Sequence, residues 1–180
     1  MCPVNAIRVA YTGELGWELH HPMEMQNYLW DLLMTAGEKH GMKLVGARAQ
    51  NWLRQEKSYR AFGNELGRDA TPAEADLPRF IDGSKEFHGK AKMEATGIRS
   101  KCCTLLIDGP ADADPWGREV LYTPEGTRVG RLTSGGYSVA FEKSIGMGYV
   151  TPELAVEGTK LKVKLQDKLW DAVITCDSPY

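Results

Sequence analysis

The chain has 180 residues, 42% of them hydrophobic and 26% charged, with a formal net charge of −2 and a sequence pI near 6.1. That length admits one large or two small domains, and the charge leaves no basic footprint for nucleic acid and no Lys/Arg run for an anionic membrane surface. No stretch of about 20 apolar residues offers a membrane span, and residues 1–13 lack the charged and apolar regions of a signal peptide, so none is expected.

Residues 6–20 read as strand, turn and strand: AIRVAYT, then GELG, then WELH, with Gly13 and Gly16 bracketing a turn where positive φ is cheap for glycine. Pro22 opens a helix whose apolar residues Met25, Tyr28, Leu29, Leu32, Leu33 and Ala36 share one face, closed by Gly37 or Gly41. A second helix is expected from about Gly46 to Ser58, with Val45, Ala49, Trp52, Leu53 and Glu56 on one face. The Pro-, Gly- and Asp-containing run from Asn64 to Phe80 reads as an ordered, irregular connection. A short helix around Lys90–Ala95 ends at Gly97.

From Lys101 to Cys176 the pattern becomes six short alternating runs separated by turns, expected as an antiparallel barrel or sandwich. Within it, Thr133–Gly136 reads as a tight turn at the rim. The boundary is placed near residues 97–100, giving a mixed α and β part and an all-β part. The four cysteines, Cys2, Cys102, Cys103 and Cys176, form no C-x-x-C and read as reduced thiols of a cytosolic or organelle-matrix protein. Cys102 and Cys103, adjacent on a strand, point to opposite faces. The chain opens within a few residues of one strand and stops straight after another, which fits a piece of a longer protein as well as a complete one.

There is no phosphate loop, no G-x-G-x-x-G opening a helix and no G-x-S-x-G elbow. His20 and His21 diverge at a strand end without a carboxylate or cysteine at ligand spacing, so no metal site is expected. Ser134 and Ser138 have no evident base in the sequence. What remains is Glu18, sharing a strand face with Gly16 and His20, and Arg48, set among the small residues Gly46, Ala47 and Ala49. A carboxylate and a guanidinium among small residues can wall a recess for a planar, hydrogen-bonding ring. A surface ion pair, or plain solvation, explains the same two residues, and Tyr11 and Trp17 read as core aromatics ahead of ligand platforms.

YTGELGWE, Tyr11–Glu18, resembles the Y-T-G-E-x-G-[FYW]-E signature of the folate-dependent aminomethyltransferases, the T-protein of the glycine cleavage system. The resemblance continues in order through Gly46-Ala47-Arg48, Leu53-Arg54-Gln55-Glu56, Phe62–Leu66 and Thr71–Ala75, then Arg131–Ser138 and Ile145–Val150 of the C-terminal barrel motifs. It implies an α+β fold: a mixed lobe of the folate-binding domain over residues 1–97, then an antiparallel six-stranded β-barrel over 98–180. It further implies that Glu18 hydrogen-bonds the pterin ring of tetrahydrofolate, that Arg48 helps to hold the cofactor, and that Tyr11 stands at the rim of the site. Gly13 and Gly16 then both turn the chain and clear space for the cofactor.

The departures are Ala49 where the family pattern has Asp, Gln55 where Leu is usual, and Phe62 in place of Tyr. These look more like the folate domains fused to flavin-dependent dimethylglycine and sarcosine dehydrogenases. Family members also carry a folate-binding half before the signature, including an Asp credited with catalysis, so no catalytic residue is assigned here.

Two functions follow from the resemblance. In the first, the chain is part of an enzyme moving an aminomethyl or methyl unit from a small amine or methyl donor to tetrahydrofolate; FAD enters only with an upstream dehydrogenase domain. In the second, it is a folate-binding or docking module without turnover, acting beside a dehydrogenase or a lipoyl carrier protein. The isolated chain is expected to be largely inactive and able to form a homodimer, in the cytoplasm or, in a eukaryote, the mitochondrial matrix.

Overall fold

The computed structural model describes residues 1–110 and 112–179. The chain divides into two compact units, Met1–Asn51 and Trp52–Tyr180, with the division falling inside the helix α2 (Ala47–Glu56).

In the first unit, β1 (Asn5–Ile7) and β2 (Glu18–His20) form an antiparallel pair, with Ile7 opposite Glu18 and Asn5 opposite His20. The expected first strand is therefore cut short. Val9 N–H donates to Ile7 O at 2.9 Å and Gly13 N–H to Ala10 O at 3.1 Å, two tight turns that engage the backbone a longer strand needs for its ladder. Gly13 has φ +74°, and a Cβ at Gly16 would stand 2.7 Å from the Cβ of Ala10. One glycine thus provides the turn and the other the close approach.

After Pro22, a 3-10 turn at Met23–Met25 leads into α1 (Gln26–Glu38). Gly41, at φ +66°, ends it: Gly41 N–H donates to Glu38 O and Met42 N–H to Gly37 O, the paired bonds of a Schellman motif. No residue in 1–51 is buried, and the apolar stripe of α1, including Tyr28, Leu32 and Leu33, is exposed.

The second unit is built on a barrel. Strands β3 (Lys101–Ile107), β4 (Val120–Tyr122), β5 (Arg128–Ser138), β6 (Lys143–Val150), β7 (Lys160–Leu165) and β8 (Lys168–Thr175) close in the order β3-β6-β5-β4-β7-β8, every pair antiparallel. Period-two alternation turns Leu105, Ile107, Leu121, Leu132, Leu161, Val163 and Ile174 into one core. Burying each such side chain contributes roughly 1.5–3 kcal/mol relative to exposure. Closure also removes the exposed sheet edges that an open sandwich would keep.

Cys103 joins this core while Cys102, on the other face, lies beneath the preceding segment, its N–H donating to Glu74 O at 2.7 Å. Both thiols are free. Before the barrel, α3 (Lys90–Thr96) ends at Gly97, which has φ +65°.

Thr133–Gly136 is not a turn. It lies inside β5, and the ladder with β6 slips one residue between Leu132 and Ser134, the mark of a bulge at Thr133. The glycines there serve close packing: a Cβ at Gly136 would fall 2.1 Å from Cδ1 of Trp52, and one at Gly135 2.5 Å from Pro115 O.

Candidate functional site

Glu18 is the first residue of β2, with a half-exposed side chain (51%) whose Oε2 lies 3.3 Å from Nε2 of His20. Two residues apart on a strand, they share a face. Tyr11 and Trp17 stand on the loop joining β1 to β2, both exposed, and Arg48 is exposed in the first turn of α2. The structure thus brings Glu18 to His20, and places Tyr11, Glu18 and Arg48 at exposed positions within residues 1–51. In kind they are a carboxylate acceptor, a planar five-donor cation and an aromatic face, the set a flat ring with an N–H-bearing edge requires.

A polar centre that the sequence did not disclose lies in the second unit. Of the face expected for α2 only Glu56 is buried; the other buried side chains of the helix are Arg54 and Gln55. Arg54 donates from Nη1 to Glu65 Oε2 and to Tyr59 O, both at 2.8 Å, and from Nη2 to Ser134 Oγ at 2.5 Å. Glu65 Oε1 accepts from Thr133 Oγ1 and Ser134 Oγ, each at 2.6 Å, and Oε2 accepts from Ala61 N–H at 2.9 Å. Tyr149 Oη donates to Glu65 O at 2.7 Å, and burial raises its phenol above the ordinary range. Gln55 Nε2 donates to Gly135 O, and Ser138 Oγ to Glu56 Oε1 at 2.5 Å. The two serines without an evident base in the sequence therefore both donate to buried carboxylates, as structural links between α2, the 61–66 loop and β5.

A second set fastens the 69–76 segment. Arg99 grips the Glu74 carboxylate with Nε at 2.8 Å and Nη2 at 3.0 Å, while Thr71 N–H donates to Glu74 Oε2 at 2.8 Å. The Arg99 hydrogen bonds hold the Glu74 carboxyl down at about 2. Among the described residues no group of three His, Cys, Asp or Glu side chains is arranged to hold a metal, and no helix is long and apolar enough to cross a membrane.

Residues 1–85 match the GCVT N-terminal domain, and residues 101–180 match the glycine cleavage T-protein C-terminal barrel domain. The chain is 41% identical over 179 residues to the mitochondrial dimethylglycine dehydrogenase of Homo sapiens, covering 96% of this chain and 20% of that protein. It is 33% identical over 171 residues to an aminomethyltransferase of Caldanaerobacter subterraneus, covering 93% of this chain and 45% of that protein. Its fold matches the crystal structure of the glycine cleavage system aminomethyltransferase T from Bartonella henselae with a TM-score of 0.86 at 27% identity, covering 97% of this chain and 49% of the other. The chain therefore spans about half the length of the aminomethyltransferases, and a fifth of the dehydrogenase.

Proposed function

The chain belongs to the glycine cleavage T-protein family, and on that premise we propose that it supplies one wall of a tetrahydrofolate site serving one-carbon transfer. Glu18 accepts hydrogen bonds from the N–H edge of the pterin, Arg48 supplies planar donors, and Tyr11 offers its ring at the rim. The observation that carries this reading is Glu18 itself: a half-exposed carboxylate at the end of the signature loop, facing solvent with only His20 as its ion-pair partner among the described residues. The donor set fits a pterin. When bound, tetrahydrofolate supplies the nitrogen that accepts an aminomethyl or methyl unit. This chain's residues bind and orient it, and orientation alone accounts for a large part of such a rate. We assign residues 1–97 to the folate lobe and 98–180 to the barrel.

Equilibrium dialysis of tetrahydrofolate against the chain tests the proposal. Saturable binding that weakens in Arg48→Gln and in Tyr11→Ala supports it; retention indifferent to both substitutions defeats it.

A second reading gains support from the 41% identity to dimethylglycine dehydrogenase, against 33% to an aminomethyltransferase. In it the chain is the folate domain of a flavin-dependent dehydrogenase acting on a dimethylglycine- or sarcosine-type amine, with FAD on a separate domain. The name of that relative also supports a mitochondrial location over a cytoplasmic one. A lipoyl carrier protein as donor, homodimerisation, and a role as a folate-binding module without turnover belong to the same set of proposals. Pull-down with lipoylated carrier and light scattering test the first two.

A further inference from the structure

We propose that the pocket between the 63–70 segment and the outer face of the barrel binds a small zwitterion, its carboxylate on Arg131 and its ammonium on Asp69. The inference is independent of the pterin reading.

The pocket has a volume of about 290 Å³ and is lined by Asn64, Asp69, Ser100, Arg131, Thr133 and Tyr149 among others. That is the low end of ligand-pocket sizes and suits a small polar molecule. Its floor is already satisfied. Thr133 Oγ1 donates to Glu65, Tyr149 Oη donates to the Glu65 carbonyl, and Glu65 is fixed by Arg54. A floor held this way does not rearrange to meet a ligand.

The walls are not satisfied in the same sense. Leu132 faces the barrel core, so Arg131 projects from the outer face of β5, opposite Tyr149 in the β5–β6 ladder. Among the described residues its guanidinium has no ion pair and no side-chain hydrogen bond. The same holds for the side chains of Asn64, Asp69 and Ser100. The Asp69 carboxylate does feel Arg99 through space, but the Arg99 guanidinium is bonded to Glu74 and to the Asp69 backbone carbonyl instead.

A guanidinium and a carboxylate therefore line one small pocket without pairing to each other. A carboxylate ligand alone would leave Asp69 unpaired and repelling it; an amine alone would leave Arg131 unpaired. A molecule carrying both charges answers both, with the Ser100 hydroxyl and the Asn64 amide free to bond its carboxylate.

Isothermal titration of the full chain tests this with four probes: glycine and N,N-dimethylglycine as zwitterions, propionate and ethylamine as single charges. Saturable binding of at least one zwitterion is expected, roughly tenfold or more tighter than either single-charge probe. Arg131→Gln and Asp69→Asn, both at exposed positions, should each weaken it about tenfold or more while leaving the circular dichroism unchanged. Asn64→Ala, which alters no charge, should weaken it less. The two zwitterions also show whether the site takes a free or a methylated ammonium. Absence of saturable heat from both zwitterions overturns the assignment, as does a single-charge probe binding as tightly, or binding that ignores both charge substitutions.

Discussion

Arg54 and Glu65 meet at 2.8 Å with both side chains wholly enclosed, joining α2 to the 61–66 loop. A buried pair stabilises only if every remaining donor and acceptor is met, and Ser134, Thr133 and the Tyr59 and Ala61 backbones meet them. Removing one partner leaves an uncompensated buried charge. Arg54→Met or Glu65→Leu should each cost about 3–5 kcal/mol in urea unfolding, while the double variant should cost clearly less than the two single costs added together. Additive losses would mean that the two charges do not support one another.

Gly136 is matched to Trp52, which α2 lays across β5. With a Cβ position only 2.1 Å from the indole, Gly136→Ala forces the ring aside and should destabilise by about 1–3 kcal/mol, as overpacked sites do. Replacing Trp52 by Leu in the same chain should recover part of that loss. Thermal unfolding of the single and double variants measures both effects.

The barrel was legible because its strands alternate, and alternation is a local property that closure preserves. Thr133–Gly136 was not, because Ser-Gly-Gly is also turn chemistry and the partner explaining it, Trp52, lies some 80 residues earlier in sequence. The buried side of α2 escaped for a related reason. Reading helical periodicity assumes an apolar interior, whereas the outer face of β5 presents hydroxyls and carbonyls that call for Arg54, Gln55 and Glu56. The opening hairpin was legible in kind but not in length, since two backbone turns after Ile7 leave no trace in alternation. Of the candidate site, the chemistry of Glu18, Arg48 and Tyr11 was readable from residue types; the resemblance, not the pattern, singled them out. Asn64, Asp69, Ser100 and Arg131 are scattered in sequence, and only the fold gathers them around one pocket.

Glu74 makes acid sensitivity predictable in sign. Its carboxyl ordinarily titrates at 4.5, but Arg99 holds it down at about 2 in the folded chain. Between those values the unfolded chain binds the proton and the folded chain does not, so stability rises with pH across that window. The contribution is fully present above 4.5 and is lost as pH falls through about 2. In Arg99→Gln the folded carboxyl moves back toward 4.5, so this contribution should shrink and the pH dependence flatten. Urea midpoints for the two proteins should converge at the acid end and separate above it; parallel curves would remove Arg99 as the cause.

The thiols divide by burial. Burial pushes Cys103 up to about 12 and Cys102 higher still, whereas Cys176 is exposed and Cys2 half-buried. Since the thiolate is the reactive form, a chromogenic disulfide reagent should label Cys176 and Cys2 rapidly in the native chain. Cys102 and Cys103 should react only on unfolding. Fast labelling of all four thiols would contradict the packing around β3.

The most direct test of the account is a paired titration of tetrahydrofolate into the chain and into Glu18→Gln, read by tryptophan emission, with Trp17 the exposed neighbour of Glu18. If Glu18 accepts the pterin N–H edge, the substitution should weaken binding by about 1–3 kcal/mol, the usual loss for a hydrogen bond to a charged acceptor, with the unfolding midpoint unchanged. Equal affinity in the two proteins would contradict the assignment of Glu18 as the pterin anchor.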